Sequence, residues 1–241
     1  FPIEDARGRL VAFGGRALSK DVRAKYLNSP ETSLFHKGSL LYRYPQARAF
    51  ANDPKIRAKG LIVAEGYMDV IAFARAGLGQ AVAPLGTALT ENQLKLLWRA
   101  GSEPVICLDG DSAGTRAAAT AAERALPLLE PGKTLRFVFL PEGADPDDLL
   151  REKGAKALED AVAEPKPLID VIWERELAVE PLDDPDRRAG FRKRLRALAA
   201  KISDPDVKAE YRAEFDLRLD QVFARARPAA RSGGGWRPGA G

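Results

Sequence analysis

Residues 60–114 read GLIVAEGYMDVIAFARAGLGQAVAPLGTALTENQLKLLWRAGSEPVICLDGDSAG, and the two ends of this stretch share one pattern. An apolar run passes abruptly into carboxylates: Leu61-Ile62-Val63-Ala64 into Glu65, and Val105-Ile106-Cys107-Leu108 into Asp109-Gly110-Asp111. Short β-rich apolar runs bounded by turn residues read as buried strands of a parallel sheet. Helical patterns lie between the two runs and after the second, so the stretch predicts a β-α-β-α unit. Chemistry in such sheets gathers at the carboxyl ends of the strands. Like charges crowded there repel, and a hard divalent cation is the commonest remedy.

Asp69 follows Glu65 by four residues, and a helix starting near Tyr67 lets both face one cleft. The helix dipole alone also favours a carboxylate in that first turn. Gly77 stops this helix, Gln80 to Pro84 reads as a second strand, and Thr90 caps a helix running to about Arg99. Ser112 reads as the N-cap of an alanine-rich helix continuing to Leu129. Leu135 to Leu140 is a fourth strand, and it too ends in an acidic turn holding Asp145, Asp147 and Asp148.

Other chemistries are excluded residue by residue. Asp109 to Gly114 mimics the start of an EF-hand loop, but Ala113 and Thr120 stand where calcium ligands are required. There is no P-loop and no Gly-x-Gly-x-x-Gly. The lone histidine, His36, has no triad partners in the sequence pattern, so no Ser-His-Asp arrangement is read, and one histidine with one cysteine cannot make a zinc site by this chain alone. The single Cys107 also excludes an internal disulfide and fits a reducing cytoplasm. No apolar run approaches the roughly 20 residues of a membrane span.

Upstream, Phe1 to Leu18 reads as a β-hairpin turning at Asp5-Ala6-Arg7-Gly8. Lys25 to Thr32 reads as a loop and Leu40 to Ala51 as a helix, with His36 a packing or hydrogen-bonding residue, not a ligand, that nothing in the sequence pairs with. Arg16 follows the Gly14-Gly15 pair directly, and Lys25, Asn28 and Lys37 offer phosphate-binding donors, although on the residues alone an ordinary exposed loop is the preferred reading of the lysines. Residues 1–60 carry 12 basic against 5 acidic residues, residues 61–164 carry 10 against 16, and residues 165–241 carry 16 against 13. A basic segment beside an acidic centre suits a polyanion with metal ions between.

From Pro165 the texture is helical: Leu168–Leu177, about Arg187 to Ile202 and about Asp206 to Ala226 are amphipathic and separated by prolines. They predict a small bundle behind the sheet, packed as a separate unit. After Pro228, ARSGGGWRPGAG reads as a flexible linker. Met68 is the only methionine, so the 241 residues read as part of a longer chain.

Glu65-Gly66-Tyr67-Met68-Asp69-Val70 together with Asp109-Gly110-Asp111-Ser112-Ala113-Gly114 resembles the Toprim fold of primases, topoisomerases and some nucleases. Adding Lys25-Tyr26-Leu27-Asn28-Ser29-Pro30-Glu31-Thr32, Phe35-His36-Lys37-Gly38 and Leu85-Gly86-Thr87, the chain resembles bacterial replicative DNA primases of the DnaG type from residue 1 to about 225. The fold so implied is α/β: a Toprim domain, mainly parallel sheet flanked by helices, preceded by a β-rich segment and followed by a small helical bundle. The implied divisions are 1–59 (end of a basic polymerase subdomain), 60–164 (Toprim), 165–227 (bundle) and 228–241 (linker).

The resemblance implies a cytoplasmic, monomeric DNA-directed RNA polymerase making short RNA primers on single-stranded DNA from NTPs at the bacterial replication fork. Its metal ligands fall on Glu65, Asp69, Asp109, Asp111, Asp145 and Asp147, with Glu65, Asp109 and Asp111 catalytic, Glu65 either as a ligand or as a general base, and the ion implied is Mg²⁺ or Mn²⁺, not zinc. Arg16, Lys25, Asn28 and Lys37 fall on nucleotide- and nucleic-acid-handling positions. The family's zinc-binding domain, the first part of its polymerase core and its helicase-binding domain have no counterpart here. Little primer synthesis is therefore expected of these residues alone, and the replicative helicase is a partner only through the last of those domains. A topoisomerase would need a tyrosine nucleophile elsewhere. A nuclease, or a binding module without catalysis, stays as an alternative.

Overall fold

The computed structural model describes residues 1–19, 24–56, 58 and 60–225, so the expected linker lies outside the described residues. The chain opens with a three-stranded antiparallel sheet, β1 (Pro2–Glu4), β2 (Leu10–Arg16) and β3 (Tyr26–Asn28), in that order. The hairpin read from the sequence is β1–β2. β3 falls within the segment read as a loop. It is only three residues long, too short for a periodic signal, and it exists because Tyr26 and Asn28 pair with Arg16 and Gly14.

Helix α1 (Tyr44–Ala51) begins four residues later than the sequence suggested. Pro45 lacks an N–H and must lie in a first turn, so it fixes the start. The residues before it form a 3-10 turn (Lys37–Ser39) and an extended stretch in which Tyr42 bridges Ala83. Arg43 precedes the helix at φ 63°, and its guanidinium donates to the Gly79 carbonyl at 3.0 Å.

The second sheet follows the expected pattern: β4 (Ile62–Val63), α2 (Tyr67–Arg75), β5 (Ala81–Val82), α3 (Glu91–Ala100), β6 (Val105–Leu108), α4 (Ser112–Ala125) and β7 (Arg136–Phe139). Two further helices, α5 (Pro146–Lys153) and α6 (Ala155–Ala163), lead to β8 (Lys166–Pro167). The strand order is β5-β4-β6-β7-β8, parallel except for the antiparallel edge strand β8. Pro127 ends α4 in a 3-10 turn, short of the expected Leu129.

Alternate residues of the parallel strands point to opposite faces. Val63, Val82, Ile106, Leu108 and Phe137 join one core, and Ile62, Ala64, Ala81, Cys107 and Val138 join the other. Helices α7 (Leu168–Leu177), α8 (Pro185–Ala200) and α9 (Pro205–Arg225) follow; Pro185 and Pro205 open α8 and α9 rather than merely separating them. Their Trp173, Phe191, Leu195, Phe215 and Leu219 belong to the same apolar cluster as Ile106 and Phe137. The bundle is therefore not the separate unit expected. Amphipathic spacing shows that a face is buried, but not against what. Arg175 reinforces the junction by bridging Glu123 of α4 (2.9 Å) and buried Glu176 of α7 (2.6 Å). Among the described residues no helix is long and apolar enough to cross a membrane.

Candidate functional site

The carboxyl ends of β4 and β6 lie side by side, and the Asp109 amide donates to Glu65 Oε1 at 3.1 Å. Gly66 caps α2, and its amide donates to Asp69 Oδ2 at 2.8 Å, which turns that carboxylate back toward the strand end. Asp111, not Ser112, caps α4: its Oδ1 accepts from the amides of Ala113 and Gly114, each at 2.8 Å. Ser112 is the first helical residue. An aspartate caps a helix as well as a serine does, and Asp111 takes the place expected of Ser112. Asp145 caps α5 by accepting from the Asp148 amide at 2.7 Å.

These groups share one field. Burial, followed by the charges of Asp109, Asp145 and Glu65, pushes Asp69 up to about 7, against a hydrogen bond from Gly66 that pulls it down. Burial and then Glu65, Asp145 and Asp111 push Asp109 up to about 6. The Cys107 thiol is pushed to about 12 by burial and by Asp69, Asp109 and Glu65, so it is inert at neutral pH. Five of the six expected ligands are thus brought together. Asp147 stands in the first turn of α5 and is not among the charges that shift Asp69 or Asp109; Arg151 is the residue whose titration it alters.

Among the described residues no three histidine, cysteine or carboxylate side chains close into a ready-made cage. Magnesium does not require one: it keeps several waters and takes one or two carboxylates plus substrate phosphates. An open, oxygen-only face whose members raise one another's proton affinity fits a hard divalent ion.

The turn carrying these groups has no spare room. A Cβ on Gly110 would lie 2.0 Å from the Leu140 carbonyl oxygen, and one on Gly114 would lie 2.1 Å from that of Asp109. Backbone cannot yield as a side chain can, so Gly110→Ala is expected to cost about 2–3 kcal/mol, read as a lower urea midpoint. An unchanged midpoint would mean that the β6–α4 turn is not packed as described.

The basic flank is organised by tyrosines. Arg16 and Lys25 lie 6.0 and 5.9 Å from the Tyr26 ring centre, and Tyr26 lies 6.1 Å from Tyr67, the first residue of α2. Asn28 reaches the same place: its Oδ1 accepts from the Tyr67 hydroxyl at 2.5 Å, and its Nδ2 donates to the Leu85 carbonyl at 3.0 Å. Lys37 sits in the 3-10 turn, whose carbonyls are held by α3. Buried Gln93 donates to Lys37 O (3.0 Å) and Leu40 O (2.7 Å), and Thr90 donates to Gly38 O (2.5 Å). His36 is exposed, so it is not packed into the core; its Nδ1 lies 3.7 Å from Glu31, near enough to pair only when the imidazole is protonated. Tyr67 and Gln93 were not read as site residues. For Gln93 a signal existed, since Thr90-x-x-Gln93 is a capping box, and the structure forms it.

The chain matches the Toprim-like family over residues 62–150 and the N-terminal domain of the DNA primase catalytic core over residues 1–48. It superposes on a solved DnaG catalytic core with TM-score 0.82 at 41% identity, covering 91% of this chain and 69% of that one. The chain belongs to the DnaG-type bacterial DNA primase family. The α/β, Toprim-containing architecture expected from the sequence is the DnaG architecture. Curated DnaG-family relatives include the DNA primase of Escherichia coli K12, 40% identical over 99% of this chain, and that of Pseudomonas putida KT2440, 44% identical over 92%. The chain spans 41% and 32% of those proteins, respectively. A DnaG catalytic domain solved bound to single-stranded DNA superposes with TM-score 0.81 at 41% identity, covering 90% of this chain and 68% of that one.

Proposed function

We propose that this chain supplies the catalytic face of a DNA primase, a polymerase that joins ribonucleotides into short primers on single-stranded DNA. The observation that carries this reading is the set of mutually perturbed carboxylates at the strand ends, with Arg16, Lys25 and Tyr26 beside Tyr67 two residues from Glu65. Glu65, Asp109 and Asp111 would hold Mg²⁺ or Mn²⁺, with Asp69 and Asp145 completing the field and Asp147 reaching an ion through water. When bound, the ion offsets charge gathering on the phosphoryl oxygens and aligns attacker with leaving group.

In that reaction the primer 3′-hydroxyl attacks the α-phosphate of an NTP and pyrophosphate departs. Arg16, Lys25 and Lys37 neutralise the triphosphate or the template backbone. Asn28, the fourth of the proposed nucleotide-handling positions, has both polar atoms engaged within the protein. Residues 1–59, 60–164 and 165–227 act as the basic flank, the Toprim centre and the supporting bundle. By the same family reasoning the protein is a cytoplasmic monomer whose partners are template, NTPs, primer and the replicative helicase, the last through a domain outside these residues.

The lysines provide the test. Lys25→Ala and Lys37→Ala are each expected to weaken binding of a labelled single-stranded oligonucleotide and to reduce the salt slope by about 0.7. Parental affinity and slope in both variants would remove the flank from the proposed function.

A further inference from the structure

We infer that the Tyr67–Asn28 hydrogen bond is the strut holding the basic strands against the acidic strand ends, which makes both side chains positioning residues for nucleotide handling. The inference deepens the primase reading and rests on it. Tyr67 opens α2 immediately after Glu65-Gly66, and Asn28 closes β3, whose first residue Tyr26 pairs with Arg16 and follows Lys25. The bond therefore joins the element carrying the cations to the element carrying the carboxylates. Asn28 clasps a second point of the parallel sheet through the Leu85 carbonyl in the turn after β5.

The strut has no slack. Phe1 stacks on the Tyr67 ring at 4.5 Å and Tyr42 meets it edge-on at 4.7 Å, so the ring cannot turn. Gly14, opposite Asn28 in the strand register, leaves no space: a Cβ there would lie 2.5 Å from the Tyr67 hydroxyl and 3.0 Å from Asn28 Oδ1. Tyr67 itself is 6% exposed. Without the hydroxyl, Asn28 Oδ1 is left half-buried and unpaired, and β3 must shift to wet it. Because its amide is engaged on both sides, Asn28 acts through placement rather than by touching a ligand.

The test compares Tyr67→Phe, Asn28→Ala and the double variant with the parent, below every unfolding midpoint. The probes are Mn²⁺ alone and ATP in the presence of Mn²⁺. Each single variant is expected to lose about tenfold in ATP affinity, with the double losing no more and Mn²⁺ alone binding within about twofold of the parent. Amide exchange gives a readout without nucleotide: the Ser29 amide, which bonds the Phe13 carbonyl, should exchange faster in Tyr67→Phe while β6 stays protected. Additive losses in the double variant would mean that Asn28 contacts the nucleotide itself, and unchanged Ser29 exchange would mean there is no strut; either overturns the inference. A parent that binds no ATP would instead defeat the primase reading, leaving exchange to decide the strut.

Discussion

Replacing Asp109 and Asp111 together by asparagine is expected to abolish Mn²⁺ binding at this face while leaving the fold intact. Calorimetric titration should show affinity falling by at least about 100-fold, beyond the 10–100-fold typical of losing a group that only supports a ligand. The choice of asparagine matters because Asp111 does two jobs. Its Oδ1 caps α4 through Ala113 and Gly114, and an asparagine carbonyl can do the same. Asp111→Ala should instead cost about 1 kcal/mol of stability from the lost cap. At Asp109 the substitution removes a charge that raises Asp69, so the metal-free variant should melt no lower than the parent at pH 8. Unchanged Mn²⁺ affinity in the double variant would show that the ion, if any, binds elsewhere.

The second large effect is a dependence on pH with an unusual sign. Asp69 and Asp109 are raised to about 7 and about 6 from an ordinary value of 3.8. Between pH ~4 and ~7 the folded state therefore holds protons that the unfolded chain has released. Their contribution to stability is present at the acid end, is lost as pH rises through that window, and levels off above it. Asp69 sets an upper bound of about 4 kcal/mol on its own loss, and Asp109 adds less because solvent screens it. Asp69→Asn should flatten the fall in melting temperature between pH 5 and 8, because the amide keeps an acceptor for Gly66 but carries no charge. Mn²⁺ must displace the same protons, so its affinity should climb with pH and level off near pH 7. Identical pH profiles for the parent and Asp69→Asn would show that Asp69 is not held in the shared field.

Much of this was legible in the chain because its signals are local. Val105–Leu108 is the predicted strand to the residue, Leu168–Leu177 the predicted helix, and Thr90 the predicted cap. The acidic strand ends were visible for the same reason: apolar runs ending in carboxylates need no partner to be recognised. What escaped the sequence depends on residues far apart. β3 is a strand only because β2 lies beside it, and β8 only because β7 does. The hydrogen bond between Tyr67 and Asn28 spans 39 residues, and Gln93 reaches Lys37 across 56. No periodicity records such pairs. Asn28 was therefore read as a free donor, when its amide is engaged in joining the two sheets.

The central claim is that the acidic strand ends support divalent-ion-dependent joining of ribonucleotides. Its most direct test is incorporation of labelled ATP on a poly(dT) template by a full-length primase containing these residues, since little synthesis is expected of them alone, and by its Glu65→Gln and Asp109→Asn variants, with Mg²⁺ or with EDTA. The account predicts Mg²⁺-dependent incorporation by the parent, and loss of at least about 100-fold in both variants with oligonucleotide binding retained. Variants that incorporate ATP at the parental rate would contradict it.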